Sequence, residues 1–347
     1  MLMVVILHIL GAGGVLNAGT ILSGQYETAY FLEIAAYCAV NCYALISGYV
    51  GVSAKYKYSN IAILWLRVIF YTVLITALFA VVFPESVSKG LVIRAFFPVT
   101  CGTYWYFTAY VVLFLFIPFL NLALKNLTKK QLKILLSIIF FVICVWNTGT
   151  VTVLGDTFKI NAGYSAWWLI ILYLFGGYIR LYGMKNQMSK WKWLAGYGMA
   201  VFLTWLFKFG IEKFTDFSMG NMLMSYTSFT IVLAAICLLK YFSEVHIPER
   251  ARSVIKFVAP LSFSVYIIHS QPLIWEYLIK NRFSEYIKLA AWKIPLTVIA
   301  TAIIIFIVCI LADYIREVIF RIFKIRQKLE KLETQLLKRL RQGNSEN

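Results

Sequence analysis

Apolar residues in this chain do not alternate with polar ones; they continue for twenty residues or so, stop at short polar segments and begin again. Alternation would give a strand one wet face. An unbroken run of about 20 apolar residues is instead the length of helix that crosses a hydrocarbon core of about 30 Å. Ten such runs are predicted as helices: 1–16, 30–51, 61–83, 104–124, 132–154, 164–183, 191–211, 222–243, 257–279 and 290–311. At about 1.5 Å per residue the first covers only about 24 Å. It carries no basic residue at its start, so it does not read as a cleaved signal peptide. The expectation is a first helix that begins upstream of Met1. No internal repeat and no low-complexity stretch interrupts the pattern.

Composition agrees with a lipid solvent. Hydrophobic residues make up 61% of the chain and charged residues 14%, with a mean hydropathy of +0.78. Soluble domains carry roughly 45–50% apolar and about 25% charged residues. A bilayer forces the backbone to satisfy its own hydrogen bonds, and continuous runs do so as helices. The predicted fold is therefore all-α, a polytopic bundle of about ten transmembrane helices.

The net charge of +18 would point to nucleic acid in a soluble protein. Here the cations lie between the runs and in the tail, so they read as topology signals, and nucleic acid is not an expected partner. With the N-terminus in the cytoplasm, the inner loops hold Lys55 and Lys57, then Lys125 to Lys133, Arg180 to Lys192 (Lys185 among them), and Lys240 to Lys256. The outer loops hold fewer: Lys89, Arg94, Lys159, Lys208, Lys213, Lys280, Arg282, Lys288 and Lys293. This asymmetry predicts an even number of spans and two cytoplasmic termini.

The membrane region is expected over 1–312 and a separate tail over 313–347. In the tail Val318, Ile322, Ile325, Leu329, Leu332, Leu336 and Leu340 recur at spacings of three and four, the mark of an amphipathic basic helix. It fits an anionic leaflet, where each Lys or Arg contributes about 1 kcal/mol, better than a short coiled coil. The six cysteines form no CxxC and mostly sit in apolar runs, so neither a disulfide framework nor a metal site is expected.

Ionisable groups inside spans carry the chemical information, because burying them is costly. His8 lies in the unbroken run Val4-Val5-Ile6-Leu7-His8-Ile9-Leu10, and imidazole exchanges protons near neutral pH. A histidine bonded to a neighbouring helix is the plain alternative. Glu33 and Arg67 suit a buried ion pair between helices, or Arg67 suits the phosphates of a nucleotide-containing donor. Asn41 and Ser47-Gly48-Tyr49 read first as packing and helix-end residues; Ser47 lacks the GxSxG context of a nucleophile. Gly11-Ala12-Gly13-Gly14 lacks phosphate-loop spacing and reads as a helix end. Tyr104-Trp105-Tyr106 reads as an interfacial aromatic anchor, with stacking on a sugar ring as the second reading. His269 lies in the ninth run and is open between acting and packing.

Four segments taken in order resemble the acyltransferase 3 family, in particular its bacterial surface-polysaccharide O-acyltransferase branch. They are Met3-Val4-Val5-Ile6-Leu7-His8, then Val40-Asn41 through Ser47-Gly48-Tyr49, then Tyr104-Trp105-Tyr106-Phe107 continuing to Ile117-Pro118-Phe119-Leu120-Asn121, and finally Ser262-Phe263-Ser264-Val265-Tyr266-Ile267-Ile268-His269. The resemblance implies a multi-pass enzyme of the bacterial cytoplasmic membrane. It would move an acyl group, usually acetyl, from cytoplasmic acyl-CoA to a hydroxyl of an envelope or lipid-linked glycan. Acetyl-CoA would be a donor substrate, and no bound cofactor is implied. His8 would be the base or proton shuttle, Arg67 a ligand of the CoA phosphates, and Glu33, Asn41, Ser47, Tyr106 and His269 supporting residues. The family also carries an arginine a few turns before its histidine, a position that falls upstream of Met1.

A transporter, flippase or polymerase for lipid-linked sugars is the alternative, since such proteins also carry many spans and outer aromatics. Transporters tend to show repeats and paired broken helices. Here only Pro260 and Pro272 bracket one span. A purely structural membrane protein would have no need of the in-span charges.

Overall fold

The computed structural model describes residues 1–183, 189–215 and 217–343; Lys185 and the end of the predicted tail, 344–347, lie outside them. Every regular element among the described residues is helical. The α-helices are α1 (Leu2–Leu10), α2 (Gly24–Tyr37), α3 (Ala39–Gly51), α4 (Tyr58–Val82), α5 (Lys89–Phe96), α6 (Trp105–Asn126), α7 (Lys129–Ile139) and α8 (Asn147–Leu154). After them come α9 (Ala166–Tyr182), α10 (Lys190–Phe214), α11 (Phe229–Glu244), α12 (Glu249–Val258), α13 (Ser262–His269), α14 (Pro272–Ile274), α15 (Lys293–Ile322) and α16 (Ile325–Gly343). The chain is thus an all-α, multi-pass membrane bundle.

Six helical stretches are long and apolar enough to cross a membrane: 24–51, 58–82, 105–126, 129–154, 190–214 and 293–322. The pair α12–α13, bent by 41° at residues 259–261, makes a seventh when counted as one span. The other three runs of the expected ten are helices too short for that measure. α9 has 17 residues, α11 has 16 and α1 has nine. Runs 1–16 and 222–243 shrink because apolarity continues where the helix does not. The first is broken by a glycine turn at 11–14, and the second begins in a 3-10 segment, Phe217–Leu223.

Small residues let the core helices close up. α3 and α9 cross so tightly that a Cβ on Gly48 would lie 2.0 Å from the Tyr173 carbonyl oxygen, and one on Gly176 would lie 2.0 Å from that of Leu45. Asn121 on α6 bridges both: its Nδ2 donates to the Gly51 carbonyl at 3.1 Å and its Oδ1 accepts from the Tyr173 hydroxyl at 2.8 Å. At the end of α1, a Cβ on Gly13 would strike the Ile9 carbonyl oxygen and the Phe283 ring. The turn is held by Asn281 and Phe283 amides donating to the Ala12 and Gly13 carbonyls, each at 2.9 Å. The glycine run is a helix end that allows backbone to meet backbone.

Two cations counted as loop or tail charges are buried instead. Lys208 lies in α10 with no exposed surface; it pairs with Glu212, bonds the Tyr26 hydroxyl at 3.1 Å and stands 3.6 Å from the Tyr30 ring centroid. One turn separates lysine from glutamate, so both share a helix face and the two charges neutralise each other where they are buried. Arg316 makes a bidentate pair with Asp313, both bonds 2.8 Å, and Asp313 also accepts from the Tyr71 hydroxyl on α4 at 2.9 Å. The expected boundary at 312–313 has no break: α15 continues to Ile322, and the chain turns at Lys324, φ 51°.

The amphipathic tail helix is α16, and it docks on α4. Glu333 caps the first turn of α4, accepting from the Tyr58 and Ser59 amides at 2.7 and 3.2 Å, and Lys57 pairs with Glu330 at 3.3 Å. Partial burial works to raise the Glu333 carboxyl. The neighbouring Ser59 side chain, the two amide hydrogen bonds and the Lys57 charge outweigh it and hold the group below the usual carboxylate range.

Candidate active site

The site is built around the last turn of α1. His8 lies there among buried aliphatic neighbours and faces the last turn of α13. Its Nδ1 is 2.7 Å from Nε2 of His269, and the Nδ1 of His269 bonds the Val265 carbonyl oxygen one turn back. A carbonyl oxygen only accepts, so His269 carries its proton on Nδ1. Its Nε2 is then a lone pair and accepts from His8 Nδ1–H. In the neutral pair the remaining nitrogen of His8, Nε2, is therefore unprotonated, and no protein group is hydrogen-bonded to it among the described residues. His269 is 1% exposed, shielded from the solvent that would scramble this order.

His8 lines two cavities. One, of about 240 Å³, is walled by aromatic rings, Tyr37, Tyr43, Tyr106, Tyr226 and Tyr266 among them, with Glu33 at its side. The other, of about 450 Å³, is bounded by Thr103, Trp105, Ser270, Trp275 and Glu276. Trp275 stands edge-on to the imidazole, 4.8 Å between ring centroids. Trp105 and Tyr266 also line both spaces, so the histidine and two aromatic rings form the partition.

The other residues singled out in the sequence divide between this site and elsewhere. Glu33 is 7% exposed, lines the aromatic cavity, and has an Oε2 with no hydrogen-bond partner. Tyr106 lines the same cavity and stacks on Tyr110 at 6.4 Å. Asn41 stays out of it. Its Nδ2 donates to the Tyr226 carbonyl at 2.7 Å and its Oδ1 accepts from Trp168 Nε1 at 3.0 Å, bracing one cavity wall. The Ser47 hydroxyl donates to the Tyr43 carbonyl at 2.9 Å and lines a third space, of about 330 Å³, with Lys55, Lys57 and Tyr110.

Arg67 is not brought to His8. The expected Glu33–Arg67 pair is absent from the ion pairs of the described residues, because α2 turns Glu33 into the aromatic cavity while α4 carries Arg67 to the bend between α12 and α13. There Arg67 Nη1 donates to the Pro260 carbonyl at 2.8 Å, satisfying an oxygen freed by the break. Arg67 also lines a separate cavity with Arg316 and Arg326.

Sequence reasoning missed Trp275 and Tyr266. Tyr266 was accessible, since it lies three residues before His269 and shares its helix face. Trp275 falls in a segment of short and irregular helix, where no period indicates what it faces.

No curated protein and no solved structure shows a significant match to the chain. The family model described as an acyltransferase domain matches residues 1–314, nearly all of the membrane bundle and the whole of the histidine site. The chain is a multi-pass membrane protein and belongs to the acyltransferase 3 family.

Proposed function

We propose that this acyltransferase takes its acyl group from acyl-CoA, most simply acetyl-CoA, and gives it to a hydroxyl of an envelope or lipid-linked glycan, in the cytoplasmic membrane of a bacterium. The observation that carries the reading is the position of His8 between two cavities with its Nε2 free. The space lined by Lys55 and Tyr110 neighbours the aromatic cavity, since Tyr110 stacks on Tyr106, which lines that cavity. This is the path assigned to the thioester arm, with its phosphates left at the basic end of the bundle. The cavity at Trp275 and Glu276 is assigned to the acceptor, since an indole face and a carboxylate suit the apolar and hydroxylated faces of a sugar.

The step balances without a cofactor. Nε2 of His8 removes the acceptor hydroxyl proton as the oxygen attacks the thioester carbonyl. The tetrahedral intermediate expels the thiolate, and His8 returns the proton to sulfur. His269 accepts from Nδ1–H throughout, stabilising the imidazolium and holding the reactive tautomer. The Tyr106 hydroxyl is assigned to the developing oxyanion, and Glu33 to orienting groups in the aromatic cavity.

The test is acyl transfer from labelled acetyl-CoA to glycan in membranes holding the full-length protein. His8→Ala is expected to lose about 10²–10⁴-fold in rate, the usual contribution of a positioned base. Equal transfer by both proteins would remove His8 from the mechanism.

A further inference from the structure

A cavity of about 220 Å³ lies where α4, α15 and α16 meet, away from His8. Arg67, Arg316, Arg321, Lys324 and Arg326 line it, with Glu317 as the acid among its lining residues. The charges do not cancel. Arg316 is committed to Asp313 and also takes Glu317 at 2.8 Å. Arg321, Lys324 and Arg326 are exposed, and none has a carboxylate partner among the described residues. Arg67 is only 6% exposed, and its Nε is buried with no hydrogen-bond partner. A buried guanidinium donor left unpaired is costly, and an oxyanion in the cavity would relieve that cost.

Two further features select the kind of oxyanion. Arg326 lies in the first turn of the 19-residue helix α16, whose N-terminal end adds a positive partial charge. Beside the cations, Ile322 and Phe323 are 69% and 59% exposed, and on α16 Leu332, Leu336 and Leu340 are also exposed. In a membrane protein this is where a long span leaves the hydrocarbon, with cations at headgroup depth and apolar side chains just below. A ligand with an anionic phosphate head and a hydrocarbon tail meets both. We propose that this cavity binds the phosphodiester of an anionic phospholipid, its acyl chains lying along Ile322 and Phe323. The site straddles the end of the family match at residue 314 and so joins the family domain to the C-terminal helix.

Phosphate could also come from a soluble ester, and the experiment separates the two sources. The purified full-length chain is titrated with phosphatidylglycerol and with phosphatidylcholine, and bound lipid is counted by native mass spectrometry. The wild-type chain is expected to retain one phosphatidylglycerol in preference to phosphatidylcholine. The triple variant R321Q/K324Q/R326Q, which changes only exposed side chains, is expected to lose about tenfold or more in that affinity, roughly 1.4 kcal/mol. Millimolar coenzyme A or inorganic phosphate should leave the lipid in place. Equal retention of the two lipids, unchanged affinity in the triple variant, or displacement by coenzyme A or phosphate would each overturn the proposal. The last outcome would give the cavity to a soluble phosphate ester. None of these outcomes bears on His8, so this inference stands or falls apart from the acyl-transfer reading.

Discussion

At the scale of the residue, the informative contact is between two imidazoles that are 261 positions apart in the chain. His269 lines neither cavity; in the proposed mechanism it acts through His8, as a positioning residue. Replacing it with leucine removes the acceptor for His8 Nδ1–H and frees the tautomer. His269→Leu is expected to lower kcat by about 10² or more while leaving KM for acetyl-CoA nearly unchanged. His269→Gln keeps an acceptor oxygen and should recover part of that loss. A histidine that merely packed would give glutamine no advantage over leucine, and the kcat ratio of the two variants decides the point. Both histidines were evident in the sequence as titratable groups in apolar runs. Their pairing was not, because it depends on how α1 and α13 are brought together, and no local period encodes that.

At the scale of the element, α16 illustrates what an amphipathic pattern can and cannot convey. The spacing of leucines announced a basic helix, and the helix exists over Ile325–Gly343. Its attachment is polar: Glu333 caps α4 and Glu330 meets Lys57. A carboxyl held below its usual range contributes stability above the unfolded value, and that stability fades as pH falls through the folded value. Docking of α16 should therefore be complete at neutral pH and loosen as the pH falls below the ordinary carboxylate range. Hydrogen exchange at the Tyr58 and Ser59 amides reads this directly. Glu333→Gln should lower the protection factors there at pH 7 towards those of the acidified wild type, and identical protection in the two proteins would remove the carboxylate from the cap. Element ends were the least legible part of the sequence. The glycines after Leu10 marked a helix end, but composition gave no warning of the 3-10 segment at 217–223, and six or seven of the ten runs form helices long and apolar enough to cross a membrane. Lys208 went unrecognised as a core residue because, although Glu212 is local, the rings that enclose it, Tyr26 and Tyr30, come from a distant helix.

At the scale of the whole molecule, solvent chose the architecture, and composition was enough to identify the solvent. Residue charge adds a direction. The charge asymmetry argues for both termini in the cytoplasm; in that orientation the segment between α5 and α6 would face outward, and Cys101 there is exposed. Cys38, Cys144 and Cys309 are buried. A membrane-impermeant maleimide added to intact cells should label Cys101, and Cys101→Ser should abolish the signal. A cysteine placed at Gln327, in the first turn of α16, should react only after the cells are opened. Labelling of the Gln327 position from outside would reverse the orientation and exchange the sides assigned to donor and acceptor.

The hydrogen-bond line through the two histidines ends on the main-chain oxygen of Val265. A peptide group is common to every amino acid, so exchanging that valine for another non-proline residue leaves the final acceptor where it was. What the reactive nitrogen depends on is winding: the turn from residue 265 to 269 must stay coiled for the oxygen to lie within reach of the ring. In the proposed mechanism catalytic competence is thereby tied to one turn of helix rather than to the chemistry of one more side chain, and a ligand or lipid that uncoiled that turn would be expected to silence the enzyme without touching either imidazole.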